Sequence, residues 1–156
     1  MKIAMVYGEK HSFPPDIRVD KEVRVLAAAG HEVTICAFAR PGLATEEQYG
    51  EGIRILRLVP QDRRRDLVHQ LLTFRHLPWV RALCEYCKTQ RPDVLHVHDL
   101  DLVPSTVKVG EKLGIAVVAD LHENMPAAHV VYREQRTPIK KLASYVVYNY
   151  YWWRWH

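Results

Sequence analysis

The stretch RPDVLHVHDLDLVPSTVKVGEKLGIAVVADLHE, residues 91–123, contains two short apolar segments separated by an amphipathic one. DVLHVH (93–98) and IAVVADLH (115–122) are predicted strands, because each is an apolar run of strand length. The segment 102–114 between them has apolar residues at helical spacing, and Pro104 lies in its first turn, where proline is tolerated. A strand, a helix and a second strand in this order predict two parallel strands joined by a right-handed crossover.

The same alternation runs through the chain on the N-terminal side of this stretch. Short apolar runs predict strands at 2–7, 31–38 and 53–59. Apolar residues at helical spacing predict a helix over 16–30, with an aspartate at its start that can cap it. The remaining predicted elements are a polar loop over 41–52, one or two helices over 63–90 with Pro78 as the break, and a helix from about Ile139.

These elements predict one α/β domain built on a Rossmann-like, doubly wound parallel sheet. Its five strands, numbered along the chain, are expected in the order 3-2-1-4-5. Ligands of such sheets bind beyond the carboxyl ends of the strands. Polar residues follow three of the predicted strands, at 8–11, 98–101 and 122–124. We therefore expect one binding site, at the edge of the sheet where these strand ends meet.

The composition limits the class of protein without naming a ligand. A chain of 156 residues is long enough for one domain with a buried core. The net charge of +4 permits an anionic ligand, an acidic membrane surface or a nucleic acid, and selects none of them. Three cysteines are an odd number, which does not make a disulfide framework.

Two segments bear on the location of the protein. The N-terminal apolar run, Ile3–Tyr7, is too short for a signal peptide, and no stretch reaches the roughly 18 apolar residues of a spanning helix. Arg63–Arg65 precede a segment in which Arg and His alternate with Leu, Phe and Trp, as on a helix in a membrane interface. A solvated arm on a core-facing helix is the alternative. We expect a cytoplasmic protein, and peripheral contact of this segment with the inner face of the membrane stays open beside the solvated arm.

The polar residues near the strand ends each have a functional and a structural interpretation. His122 can donate a hydrogen bond to a ligand hydroxyl or an oxyanion, or can be satisfied by a backbone carbonyl. Asp16 and Arg18 either face the binding edge, where Arg18 can meet an anionic group, or serve as a helix cap and a solvated cation. Glu123 can bind a hydroxyl group or anchor its loop. His96 is predicted to be a core histidine with a partner.

Two short motifs suggest metal sites but favour other roles, and a third motif is absent. Asp99-Leu100-Asp101 matches an Asp-x-Asp pattern that can hold a metal–diphosphate, but Asp101 suits the N-cap of the following helix and Asp99 a contact with a bound ligand. Cys84-Glu-Tyr-Cys87 lies in a helical pattern without a second pair, which predicts packing instead of a zinc site. No Gly-x-Gly-x-x-Gly follows the first strand, which argues against a dinucleotide site. We expect no metal and no cofactor.

The stretch PPDIRVDKEVRVLAAAGHEVTI (14–35), taken with 91–123, resembles the N-terminal Rossmann-like domain of GT-B glycosyltransferases, in particular retaining enzymes of glycosyltransferase family four. The resemblance in order and spacing covers residues 2–124. It implies that this domain binds a hydroxyl acceptor (a sugar, lipid or protein), whereas a C-terminal domain binds the nucleotide-sugar donor. It also implies that sugar is transferred from donor to acceptor, with retention. We expect no nucleic-acid partner.

The resemblance also assigns site residues. The family's strand-end histidine falls on His122, which is expected to be catalytic, and the family's HDLD segment falls on 98–101. Only Gly8 stands where the family often carries paired glycines. No two glutamates are eight positions apart, as the Glu-x7-Glu motif of the second domain requires. The residues expected to bind substrate are Gly8, Asp16, Arg18, His98, Asp99 and Glu123.

The domain organisation follows from these expectations. Residues 1–137 are expected to form the Rossmann-like N-terminal domain of a GT-B architecture, and residues 138–156 an aromatic helix that contacts a second domain or a partner. The chain alone is expected not to complete the reaction. Two other functions stay open: a noncatalytic binding subunit that acts with a partner chain, and a fragment of a GT-B-fold sugar-nucleotide epimerase.

The C-terminal segment PIKKLASYVVYNYYWWRWH carries two apolar stripes at helical spacing. A helix that is apolar nearly all round must be covered on every side, and a small domain can cover only one stripe. Trp and Tyr also favour half-wet boundaries. The first stripe consists of Ile139, Leu142, Val146, Tyr150 and Trp153, and the second of Tyr145, Tyr148, Trp152 and Trp155.

We therefore predict that the chain self-associates through the second stripe. Light scattering is expected to show a dimer for the full chain and a monomer for a chain that lacks residues 144–156. A monomeric full chain would contradict this prediction.

Overall fold

The computed structural model describes residues 1–8, 16–60, 75–98 and 100–121. Six strands in these residues form one sheet, in the order β3-β4-β2-β1-β5-β6. All neighbouring strands are parallel except β3 and β4, which are antiparallel. The strands are Lys2–Tyr7 (β1), Glu32–Ala39 (β2), Glu46–Gly50 (β3), Ile53–Pro60 (β4), Val94–His98 (β5) and Ala116–Asp120 (β6).

The Rossmann-like sheet predicted from the sequence is confirmed, and the five predicted strands lie in the predicted order. The loop predicted over 41–52 is wrong for Glu46–Gly50, which form the edge strand β3. The reason lies on the neighbouring strand, where the buried guanidinium of Arg57 donates to the carbonyl oxygen of Ala44 at 2.7 Å and to Glu47 Oε2 at 3.0 Å. These bonds hold a polar segment against β4, and charged side chains suit an exposed edge strand.

Three α-helices lie in the described residues, namely Ile17–Ala28 (α1), Leu77–Gln90 (α2) and Val103–Leu113 (α3). Asp16 is the N-cap of α1, as predicted. Pro78 lies in the first turn of α2, which begins at Leu77, and the predicted break from a preceding helix stays a prediction because residues 61–74 lie outside the described part of the chain. The prediction that Asp101 caps α3 is wrong. The chain enters α3 through a 3₁₀ turn, Leu100–Leu102, that contains Asp101 and leaves Leu102 at the cap position.

Several predicted features lie outside the described residues. They are the N-terminal part of the helical region 63–90 with Arg63–Arg65, the domain boundary at residue 137 and the aromatic C-terminal helix. No helix in the described part of the chain is both long and apolar enough to span a membrane.

The sheet is covered by apolar residues on both faces. On one face, Val19 and Val23 of α1 pack against alternating residues of the central strands, which are Met5, Tyr7, Val33, Ile35, Ile53 and Ile55. On the other face, α2 and α3 pack against the intervening strand residues. That second core contains Ala4, Val6, Cys36, Trp79, Leu83, Leu95, Val97, Leu102 and Val109. Alternation along each strand therefore decides which helix a side chain meets.

The cysteines belong to the core on the α2 face. Cys84 and Cys87 are buried free thiols of α2, and Cys36 of β2 is buried in the same core. Burial raises the pKa of Cys87 to about 12, because the thiolate would lose its hydration. The predicted packing role of the Cys-x-x-Cys motif is confirmed.

Gly110 lies where α3 crosses β6, and the crossing leaves no room for a side chain. A Cβ atom at this position would lie 2.8 Å from the carbonyl oxygen of Ile115 and would contact the side chain of Val117. Glycine to alanine normally stabilises a helix interior by about 1 kcal/mol, but overpacking of a core costs about 1–3 kcal/mol. The backbone carbonyl cannot rotate away, so the overpacking is expected to exceed the gain.

We predict that Gly110→Ala lowers the free energy of unfolding by about 1–2 kcal/mol, measured by urea denaturation. Glu111→Ala, at the exposed neighbouring position, serves as the control and is expected to change it by less than about 0.5 kcal/mol. A Gly110→Ala chain as stable as the wild type would show that α3 can move away from β6 at little cost.

Candidate functional site at the carboxyl edge of the sheet

The polar residues of β5 and β6 lie at the carboxyl edge of the sheet, beside the end of β1. Tyr7 of β1 pairs in register with His98 of β5, and His98 pairs with Asp120 of β6. The parallel arrangement therefore brings three strand ends level. The N-terminal half of α1 lies over this edge, since its Glu22 reaches His98. The expected convergence of strand ends is thus present within the described residues.

His98 lies between two carboxylates. Its Nδ1 atom is 3.4 Å from Asp120 Oδ2, and its Nε2 atom is 3.6 Å from Glu22 Oε2. The side chain is only 1% exposed, so the ring lies beneath the surface of this edge and forms the floor of the site. His96, two residues earlier on the same strand, lies on the same face, with its ring centroid 4.5 Å from that of His98.

Burial controls the protonation of this group. Desolvation lowers the pKa of His98 to about 4, the neighbouring His96 acts in the same direction, and Asp120 opposes both. Burial likewise raises the pKa of Glu22, which His96 partly opposes. His98 is therefore a neutral imidazole at pH 7, with one protonated and one unprotonated ring nitrogen.

Three of these side chains could hold a metal ion. One ligand atom each from Glu22, His96 and His98 lies within 4.8 Å of the others. The sequence predicts His96 to be a core histidine with a partner. The structure places it on the sheet face opposite Leu95 and Val97, half-buried beside His98 and not in the apolar core.

Asp16 and Arg18 lie at the start of α1 and form a local ion pair. Asp16 Oδ1 accepts the backbone N–H groups of Arg18 at 2.9 Å and Val19 at 3.3 Å, and its Oδ2 accepts the Arg18 guanidinium at 2.8 Å. Burial alone would raise the pKa of Asp16, but these bonds outweigh it and hold that pKa below its usual value. The charges of both residues act on Glu22, so the pair lies near the His98 group.

Gly8 follows β1 and lies against the turn before α3. A Cβ atom here would lie 2.8 Å from Leu102 Cδ1 and 2.9 Å from its Cγ atom. The absence of a side chain at Gly8 thus permits the close approach of Leu102 to the end of β1. Its expected contact with substrate stays a prediction.

The structure brings Gly8, Asp16, Arg18 and His98 to one end of the sheet. His122, Asp99 and Glu123 lie outside the described residues, so their expected roles also stay predictions.

Sequence reasoning missed Glu22 and Asp120. Glu22 lies four residues after Arg18, which places it one turn further on the same face of α1. Asp120 ends β6, level with His98. The position of Asp120 follows once the order of the strands is known, whereas that of Glu22 also requires the packing of α1 on β5.

A Rossmann-like parallel sheet with polar residues at its carboxyl edge is the architecture of one half of a GT-B fold. Residues 16–154 match the family model of the glycosyl transferase 4-like domain. Because the match covers most of the chain, the protein belongs to this family. A comparison with curated proteins gives no significant match.

Solved structures share this fold at low sequence identity. A sucrose-phosphate synthase chain from Thermosynechococcus elongatus superposes with a TM-score of 0.60 at 17% identity, over 85% of this chain and 70% of that one. In a second structure of the same synthase the TM-score is 0.59 at 16% identity, and the match covers 93% of this chain and 39% of that one. A Streptomyces sp. SF2575 glycosyltransferase, complexed with thymidine diphosphate, gives 0.53 at 18% identity, over 78% and 38% of the two chains.

The role of Asp16 as a helix cap can be separated from any role in binding. Asp16→Ala removes the acceptor for two backbone N–H groups and is expected to lower the free energy of unfolding by about 1 kcal/mol. Asp16→Asn keeps an acceptor of equal capping strength and loses only an exposed ion pair, so its stability is expected to stay within about 0.5 kcal/mol of wild type. Urea denaturation of the three proteins measures this. Equal stability of Asp16→Ala and the wild type would contradict the capping role.

Proposed function

We propose that this chain is the acceptor-binding half of a GT-B glycosyltransferase that transfers a sugar from a nucleotide-sugar to a hydroxyl acceptor, with retention. The observation that supports this most directly is the family match over residues 16–154, on a fold whose polar side chains gather at the carboxyl edge. The chain spans 39% of the length of a synthase chain with the same fold. In this proposal the remaining part of such an enzyme binds most of the nucleotide-sugar.

The acceptor would bind over the floor formed by His98. Arg18, whose side chain is 44% exposed, would meet an anionic group of the acceptor or of the departing phosphate. Asp16 would hold Arg18 in place and accept a hydrogen bond from an acceptor hydroxyl. Gly8, Asp99 and Glu123 would complete the acceptor contacts beside them.

His122 would be the residue closest to the chemistry. Retaining transfer develops positive charge at the anomeric carbon and negative charge on the leaving phosphate. A positioned imidazole can stabilise this redistribution by hydrogen bonding without acting as a general base. His122 comes two residues after Asp120, which ends β6, so the chain leads directly from the described site to this residue.

Two further features belong to the proposal. The acceptor class is a sugar, a lipid or a protein hydroxyl, and a lipid acceptor would agree with peripheral attachment to the cytoplasmic face of a membrane through the segment after Arg63–Arg65. Self-association through the aromatic C-terminal segment would complete the assembly. The mildly basic charge of +4 supports contact with anionic donors and surfaces.

His122→Ala tests the proposal, in a protein that contains this domain together with its nucleotide-sugar-binding partner domain. We predict that turnover falls about 100-fold, the equivalent of roughly 3 kcal/mol for a lost positioned donor, while the melting temperature stays unchanged. The chain by itself is expected neither to transfer nor to hydrolyse nucleotide-sugars.

His31→Ala is the matched control. His31 precedes β2 and so lies at the amino edge of the sheet, and its loss is expected to leave turnover unchanged. Equal turnover of the His122→Ala protein would remove this residue from the mechanism. If the two-domain protein transfers no sugar from any nucleotide-sugar tested, the proposed function itself is wrong.

A further inference from the structure

Two buried ligand atoms face each other beneath the carboxyl edge of the sheet. His98 Nε2 and Glu22 Oε2 are 3.6 Å apart, and neither has a hydrogen-bond partner within the described part of the chain. Leaving a buried polar atom unpaired costs about 1–3 kcal/mol, and more for a charged group. Two such atoms aimed at one another are therefore placed to bind a third group together.

The tautomer of His98 indicates which kind of group fits between the two atoms. Asp120 can only accept a hydrogen bond when ionised, so its approach at 3.4 Å places the ring proton on Nδ1. With its ring proton on Nδ1, His98 directs the lone pair of Nε2 at Glu22 Oε2, which also offers a lone pair. Two acceptors cannot bond directly, and a positive charge between them resolves the conflict.

A third ligand atom lies close by. His96 offers a ring nitrogen within the same 4.8 Å group, because residues two apart on a strand point to the same face. Two imidazoles and one carboxylate match the donor set of zinc and related transition metals, whereas magnesium and calcium prefer oxygen ligands alone. Tetrahedral zinc with bonds of about 2.0–2.1 Å separates its ligand atoms by roughly 3.3 Å, so small side-chain rotations would complete the site.

We propose that Glu22, His96 and His98 bind a divalent transition-metal ion of the zinc type, with water as the fourth ligand. Asp120 holds the Nδ1–H group of His98 and so acts as the outer partner that fixes a metal-bound imidazole. The two carboxylates carry a total charge of −2, which a divalent ion neutralises. The ion would tie α1 to β5 under the acceptor side of the edge. This inference does not depend on the proposed sugar transfer, and it departs from the resemblance, which implies no metal.

Zinc binding by the full 156-residue chain tests the proposal. After removal of metal with a chelator, titration with Zn²⁺ is expected to show one site of micromolar or tighter affinity and a higher melting temperature. Co²⁺ in its place should give visible absorption bands of the intensity that tetrahedral coordination produces. Failure of the chain to bind either ion more tightly than about 100 μM would overturn the proposal.

Variants assign the site to its residues. Glu22→Gln and the double change His96→Asn with His98→Asn are each expected to weaken zinc binding by about 100-fold or more, whereas Asp120→Asn should weaken it by about 10- to 100-fold as an outer partner. His31→Asn and Glu32→Gln, at the opposite edge of the sheet, are the matched controls and should change nothing. Unchanged affinity in the Glu22 and histidine variants would place the ion elsewhere and overturn the assignment.

Nitrogen NMR of the wild-type imidazoles keeps the test independent of variants that fail to fold. Zinc is expected to shift the Nε2 resonance of His98 while its Nδ1 remains protonated. A His98 ring that does not respond to bound zinc would overturn the proposal, and a proton shared between Glu22 and His98 would then account for the short contact.

Discussion

The parallel pairing of β1 with β5 determines where every polar group of the edge lies. The register matches Met5 with His96 and Tyr7 with His98, which turns both histidines towards α1. A slip of one residue would reverse the two faces of β5. Leu95 and Val97 would then meet α1, and both imidazoles would enter the apolar core under α2 at a prohibitive desolvation cost. The hydrophobic pattern of β5 thus determines both the pairing of this strand and the position of the site.

Much of the fold could be predicted because its signals are local. Apolar runs mark the five parallel strands, and Asp16 and Pro78 mark the starts of α1 and α2 by the chemistry of helix ends. The edge strand β3 could not be predicted in this way. Its sequence, EEQYG, has no apolar alternation, and it depends on a buried arginine ten residues away along the chain. A strand that depends on a long-range ion pair cannot be predicted from the pattern of its own residues.

The site was predictable in part, for a related reason. His98 stands at a strand end, and the rule for open α/β sheets identifies such a residue directly. Glu22 required knowledge of how α1 lies across β5, and the distance between them is set by packing, not by spacing in the sequence. Asp101 was predicted to cap α3 and does not, because a 3₁₀ turn precedes the helix and contains this residue. No local sequence pattern predicts that turn.

Two buried basic side chains, Arg57 and His98, differ in how far their polar atoms are hydrogen-bonded. Arg57 has its guanidinium bonded to a carbonyl and a carboxylate, so its burial is fully compensated and its role is structural. His98 keeps one nitrogen without a hydrogen-bond partner in the described residues. A buried polar atom without a hydrogen-bond partner is uncommon in a well-packed protein interior. The surroundings of His98 are therefore better suited to binding a ligand than to packing alone.

The distribution of sulfur and imidazole across the sheet has a consequence for metal selectivity. All three cysteines are buried as free thiols in the core on the α2 face, while His96 and His98 lie on the α1 face. The six-stranded sheet therefore separates the soft thiol ligands from the borderline imidazole ligands. A thiophilic ion such as Cu(I) finds no accessible thiolate on the α1 side and can reach one only by opening the hydrophobic core. The domain thus keeps its nitrogen and oxygen donors on the α1 face of the sheet and its sulfur atoms in the core on the other face.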